Sequence, residues 1–515
     1  MKILMMKIIP SCLLALSLLF CSVTLQAQQT HTLKGSASGM AGRKVELLDF
    51  YGDKNRVVSS TSVDKDGLFQ FPFNDKSPAG MYRLKFAKGR NVDVIYNHYD
   101  IELSISKPVM QAGQYTLFEG IDVLSSLDNS LYYGFLKTLD LKRKRTAHLT
   151  QLKRLYPPSK DKVPGSDTAG MPVSGTGVFA GQVESELYNL HQRFEEYVHQ
   201  LIEENPDSYS AKFIKNMKTP VPNPNMTGDG LREWQKEHFW DSVDLSDTTL
   251  LHSPLIPSKV FEYISLYGNK SMNREEQEMA FVGAVDDILL RARVDDEVFS
   301  VVLDIVVRKF EKSEFELVLT YITENYILAD AGCEDSESVV SEDRVAELRK
   351  KVETIKKMAV GNPAPEIEMF QHGVFNLNIA EGAVVPLNNT QMKMSNISAE
   401  NTLILFWASW CPHCPSVLTA LKSVYDEYRE MGLEIVAISL DKERTAWQNA
   451  ITKGQYNWIN YSELTGWEGK AATEYGVWST PRMYLLDSNK KIIAKPGTVK
   501  ELVKAIAPLM HARVE

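Results

Sequence analysis

The sequence predicts a multidomain chain: an N-terminal antiparallel β-sandwich, a central mainly α-helical domain and a C-terminal layered α/β domain. Three observations predict it. Apolar residues recur at every second position up to about residue 118, the period then lengthens to three and four, and from about residue 359 apolar runs alternate with helical segments. The 515 residues exceed what one hydrophobic core can serve, and about 150 residues per domain gives roughly three domains.

Before the first strand, Lys2 and Lys7 precede the apolar run "LLALSLLF" and the small residue Ala27. Residues 1–27 therefore read as a cleaved signal peptide, since the run is far short of the roughly 20 residues that span a bilayer. A retained signal would leave the chain membrane-associated. Cys21 follows bulky Phe20, which argues against lipid attachment, and Cys12 and Cys21 depart with the peptide.

Residues 28–118 form the sandwich. Phe69, Phe71 and Phe73 alternate with Gln70 and Pro72, and Ile101, Leu103 and Ile105 with Glu102 and Ser104, with turn signals at "DKDG" and "KGRN". Residues 119–358 form the helical domain: Val183, Leu187, Leu190, Phe194, Val198 and Leu201 share one helical face. A Pro/Ser/Gly-rich stretch over 157–177 reads as a flexible loop. His191 and His199 lack metal-ligand spacing and read as packing residues. Cys333, beside acids at a helix end, reads as an idle thiol.

"GNPAPEIEMF" marks the start of the last domain, 359–515. There "TLILFWAS", "LEIVAISL" and "RMYLLD" are strands with helices between them. Parallel pairing and a late antiparallel hairpin follow, which is the order of a thioredoxin-like fold.

The chemistry is carried by "WCPHC", where Cys411 and Cys414 flank Pro412 and His413 at a strand-to-helix junction. Pro412 suits the first helical turn, which puts Cys411 at a helix N-terminus where unpaired N–H groups favour a thiolate. His413 adds a donor, or a charge when protonated. A zinc site is disfavoured because no second pair of ligands has the right spacing, so neither metal nor cofactor is expected. A structural disulfide across so short a loop would stabilise little. The remaining reading is a redox pair in which Cys411 exchanges with a partner and Cys414 resolves the mixed disulfide. A net charge of −9 without a long basic stripe argues against nucleic acid as a partner, and 24% charged with 44% hydrophobic residues argues against disorder.

"NTLILFWASWCPHC" with "YGVWSTPRMYLLDSNKKIIAKPG" resembles the thioredoxin-like proteins of the TlpA/ResA type. The resemblance implies a cis-proline at Pro481 packed beside the pair, with Thr480 offering backbone to an extended peptide and Trp410 joining them in substrate binding. It also implies thiol-disulfide exchange on protein or peptide thiols and disulfides in the periplasm, fed by an upstream membrane or periplasmic electron donor. Two departures stand out: Leu405 occupies the position of a buried thioredoxin Asp, and Val417 that of a Glu in ResA-type relatives. Glu366 or Glu368 could substitute. Pro415 is expected to loosen the first helical turn. The Pro-His dipeptide resembles the oxidant DsbA, whereas the module as a whole argues for a reductase. A scaffold with an unused cysteine pair, and peroxide reduction aided by Arg482, are the other readings.

Overall fold

The computed structural model describes residues 31–86, 91–106, 120–156, 175–220, 222, 226–269, 271–329, 340–370, 374–378, 383–386 and 392–511. The expected signal peptide, Cys333 and most of the expected 157–177 loop lie outside the described residues. Residues 175–177 are not loop, since they open the helix Gly175–Glu204. The chain divides into two compact units, one of Met1–Asp49 with Asn55–Ile214 and one of Phe50–Lys54 with Lys215–Glu515.

In the first unit the alternating segments form two four-stranded sheets. In one, the order is Leu68–Phe73, His31–Ala37, Ile101–Ile105, Ile121–Ser125; in the other, Lys54–Ser62, Lys44–Tyr51, Gly80–Phe86, Asn91–Tyr96. In Leu68–Phe73 the period-two sequence gives one buried face: Phe69, Phe71 and Phe73 are buried while Gln70 and Pro72 are exposed. Rings from the two sheets meet, Phe69 with Phe86 at 5.8 Å and Phe73 stacked on Tyr96 at 3.9 Å. The expectation of purely antiparallel pairing needs correction, because His31–Ala37 runs parallel to Ile101–Ile105, with Leu33 opposite Ile101. Alternation fixes which face is buried but not strand direction, and the long intervening chain permits a parallel return.

The helices expected as one domain over 119–358 fall in both units. Helix Leu127–Leu155 goes with the sheets for a local reason. Asn129 presents its amide to the edge strand Asn91–Tyr96 like a further strand residue, accepting from Ile95 N at 2.9 Å and donating to Ile95 O at 2.7 Å. Tyr133 adds a hydrogen bond to Asp93 O. Helices Leu255–Tyr267, Arg274–Ala292, Asp296–Glu311 and Glu342–Lys357 belong to the second unit. Among the described residues no helix is long and apolar enough to cross a membrane.

The C-terminal region builds a seven-stranded sheet in the order Ala383–Pro386, Val374–Asn378, Ile459–Ser462, Leu433–Ser439, Asn401–Trp407, Arg482–Leu486, Ile492–Ala494. Asn401–Trp407 is an interior strand, parallel to Leu433–Ser439 and antiparallel to Arg482–Leu486. All seven of its residues are buried, the polar Asn401 and Thr402 included, as a strand covered on both faces requires.

Candidate active site

Asn401–Trp407 carries the chain into the core and releases it at Ala408. There the backbone turns: Cys411 N–H donates to Ala408 O at 3.2 Å, and Cys414 N–H to Cys411 O at 3.3 Å. The helix proper is Cys414–Tyr428, with His413 at its N-cap. It begins later than the sequence implied. Pro412 lies in the preceding turn rather than the first helical turn, and Pro415 occupies the second helical position. An N–H there has no intrahelical acceptor, so Pro415 removes nothing and the expected loosening does not occur.

The turn brings Cys411 against the loop of Trp478–Pro481. The Thr480–Pro481 bond is cis, and Cys411 Sγ donates to Thr480 O at 3.4 Å. Both cysteines are free thiols, Cys411 3% exposed and Cys414 fully buried. Burial opposes ionisation of Cys411. Hydrogen bonds from the Cys414 thiol, the Thr480 side chain and the backbone N–H groups of His413 and Cys414 outweigh it, and the Cys411 pKa falls below its usual value. Cys414 goes the other way: burial first, then its bond and charge interaction with Cys411, push it up to about 12. One thiol is prepared to ionise and the other to keep its proton.

His413 contributes through its backbone. Its side chain is exposed, and no ring hydrogen bond is recorded among the described residues, whereas its N–H points at Cys411. Pro412 is exposed beside it. Trp410 is 54% exposed and lies 6.1 Å, centroid to centroid, from Trp467. Trp410, Cys411, Pro412, His413, Cys414, Thr480 and Pro481 thus come together from two segments.

Leu405 and Val417 leave the pair without carboxylates at those positions, and neither Glu366 nor Glu368 replaces them. Glu366 accepts from Ile367 N and Ser395 N, and Glu368 pairs with Lys393 at 3.5 Å. Arg482 turns away from the thiolate: it pairs with Glu316 and reaches Tyr484 OH at 3.4 Å, which removes the arginine that peroxide reduction would use.

Sequence reading missed Asp441. Only 2% exposed, it accepts from Ser409 N at 2.9 Å, Ser409 Oγ at 2.5 Å and Ser439 Oγ at 2.6 Å. It fixes the turn two residues before Cys411 from the end of the neighbouring strand. The one signal available was an acid directly after an apolar strand, "LEIVAISLD".

Among the described residues no cluster of His, Cys, Asp and Glu could hold a metal ion. A sheet of this topology with a buried dithiol turn against a cis-proline defines a thioredoxin-like thiol-disulfide oxidoreductase, and the C-terminal domain belongs to that class. Residues 360–495 match the AhpC/TSA family. The thiol-disulfide oxidoreductase ResA of Bacillus thuringiensis is 23% identical over 159 residues, covering 30% of this chain and 82% of that protein. ResA of Bacillus subtilis is 22% identical over 131 residues, 24% of this chain and 72% of that protein. A thioredoxin-like protein from Bacteroides caccae is a structural neighbour at TM-score 0.40 and 19% identity, covering 57% of this chain and 99% of its own.

Proposed function

We propose that this chain is an exported protein-disulfide reductase of the periplasm. Cys411 thiolate attacks one sulfur of a substrate disulfide; a Cys411–substrate S–S bond forms as the substrate bond breaks, and the departing thiolate takes a proton. Cys414 then attacks Cys411 sulfur, releases the second substrate thiol and leaves the enzyme pair oxidised by the two electrons the substrate gained. An upstream membrane or periplasmic donor returns those electrons. Pro412 shapes the turn, the His413 amide supports the Cys411 thiolate, and Trp410, Thr480 and Pro481 bind the substrate segment.

The observation that carries this reading is the geometry of the pair, Cys411 Sγ 3.4 Å from Thr480 O beside the cis Thr480–Pro481 bond with Cys414 fully buried behind it, and burial and hydrogen bonding displace the two thiols in opposite directions. The direction is supported by the exposed His413 ring. With no imidazole hydrogen bond to it among the described residues, the thiolate is held by the Cys414 thiol, the Thr480 side chain and backbone N–H groups, and a less stabilised thiolate makes a more reducing pair. The ResA relatives carry the name of thiol-disulfide oxidoreductases.

The test is the equilibrium potential of the Cys411/Cys414 pair together with trapping. A potential near about −270 mV, that of thioredoxin, supports a reductase; one near about −120 mV makes the protein an oxidant like DsbA. Cys414→Ser should accumulate a mixed disulfide through Cys411, and Cys411→Ser should abolish exchange. A Cys411→Ser protein that still exchanges would leave the pair unused and return the chain to a scaffold.

A further inference from the structure

Most ion pairs among the described residues are wet on at least one side. In three of them both side chains are no more than 16% exposed: Glu316 with Arg482, Glu316 with Lys495, and Glu311 with Lys351. Taking charges out of water is costly, and a buried pair seldom stabilises a fold more than apolar side chains of the same size. Such pairs gathered in one place therefore fix a position more than they add stability. All three lie in the unit Phe50–Lys54 with Lys215–Glu515. Two of them tie the helical region to the C-terminal domain directly, and the third holds a lysine over Trp478.

These contacts fall at the two ends of the loop 477–481. Arg482 directly follows the loop and opens the strand Arg482–Leu486, opposite Phe406 of the neighbouring strand. Its guanidinium lies 5.4 Å from the Tyr484 ring and reaches Glu316, the first residue of the helix Glu316–Ile322. Glu316 also accepts from Lys495, just past the strand Ile492–Ala494. Arg274 closes this seam by donating to Glu314 O and, at 3.4 Å, to Lys495 O. At the other end, a Cβ at Gly476, whose φ is +62°, would stand 2.8 Å from Thr354 Cγ2. Lys351, one turn earlier on the same helix Glu342–Lys357, places its Nζ 4.2 Å from the centroid of the Trp478 ring, and Glu311 holds it there at 3.4 Å. Between the two grips stands Thr480, whose carbonyl accepts from Cys411 Sγ at 3.4 Å and whose side chain supports the Cys411 thiolate.

We propose that Glu316 and Lys351 are positioning residues for disulfide exchange: from the helical region they grip the loop 477–481 at Arg482 and at Trp478, and so set where Thr480 stands against Cys411. Each acts through the loop rather than on a sulfur. The helical region is thereby part of the redox site, and a shift of its helices is transmitted to Cys411. The proposal rests on the thiol-exchange reading of the pair and goes beyond it by giving the helical region a part in tuning the thiol.

The test uses the full chain and two readouts, the rate at which iodoacetamide alkylates Cys411 at pH 7 and the dithiol potential against glutathione. Glu316→Gln leaves Arg482 and Lys495 buried without their carboxylate and releases the loop. Cys411 then loses support for its thiolate, and alkylation should slow by about tenfold, since an ångström-scale misplacement costs up to about a hundredfold. The pair should become more reducing by the same factor, about 30 mV. Lys351→Met keeps the side-chain stem and removes the charge over Trp478; it should move both readouts the same way by about threefold, and it decides the matter if Glu316→Gln fails to fold. Lys356→Met, on the same helix but paired with Glu324, should change neither. Unaltered alkylation and potential in the folded Glu316 and Lys351 variants overturn the proposal, even where urea stability falls, because the pairs are then merely structural. Faster alkylation overturns it too, since the freed Arg482 charge rather than the loop would govern the thiolate. An equal effect of Lys356→Met overturns it as a general loosening of the helices. Wild-type protein that exchanges no disulfide sinks the reductase reading alone, because alkylation reports the grip without a substrate.

Discussion

The strand Leu68–Phe73 and the strand Asn401–Trp407 are both rich in apolar residues, yet they do different work. The first alternates exposed and buried positions, the second is buried throughout. A strand with one wet face spends its pattern on separating core from solvent. A strand covered on both faces has no surface until it ends, and whatever follows it emerges at the rim of the core. Cys411 stands at such an end, as ligand sites in α/β sheets do at the carboxyl ends of their strands. The comparison teaches that chemistry sits where two-sided burial stops.

Breaking the two strands should show the contrast at its largest. Leu405→Ala, fully buried beside Ala437 and Met483, should cost about 2–5 kcal/mol in urea unfolding, whereas Leu68→Ala, 51% exposed, should stay within about 0.5 kcal/mol. Equal costs would remove the distinction. Next in size is the rim itself: Asp441→Ala strands the Ser409 N–H and should destabilise by about 1–3 kcal/mol, with a change in the Cys411 alkylation rate that a purely structural defect elsewhere would not produce.

The two thiols sharpen the comparison through pH. Raising pH converts thiol to thiolate, so the alkylation rate of Cys411 should climb with a midpoint below that of an ordinary thiol. In Cys411→Ser protein, burial alone should keep Cys414 protonated well above the midpoint of an ordinary thiol, and its alkylation should still be rising when Cys411 in the parent has levelled. A small effect is predicted at Pro415. Replacement by Ala should change stability by less than about 1 kcal/mol, because the second helical position needs no N–H; the roughly 3 kcal/mol of an interior proline would show that the helix starts earlier.

What the sequence makes legible is local. The dithiol turn and the threonine-proline loop are short motifs whose meaning travels with their neighbours in sequence, and the period of two or of three to four is enough to separate strands from helices. What escaped reading depends on residues far apart. Asp441 reaches Ser409 across two parallel strands, Trp467 meets Trp410 from a separate turn, and Asn129 completes the hydrogen bonding of an edge strand from the start of a helix. None of these leaves a periodic trace. The start of the active-site helix was misread because a proline at 412 and another at 415 both suit a first turn, and only the backbone decides between them.

The parallel seating of His31–Ala37 against Ile101–Ile105 has a consequence for the order of events during synthesis. The first strand cannot find that neighbour until the chain has been made through residue 105, so its inner edge must wait while later hairpins close. Such pairing at long sequence separation is slow to form and leaves an open edge in the meantime. A nascent chain halted between Phe73 and Ile101 would therefore offer that edge to other chains, and aggregation of ribosome-arrested fragments should rise over that interval and fall once Ile105 has emerged.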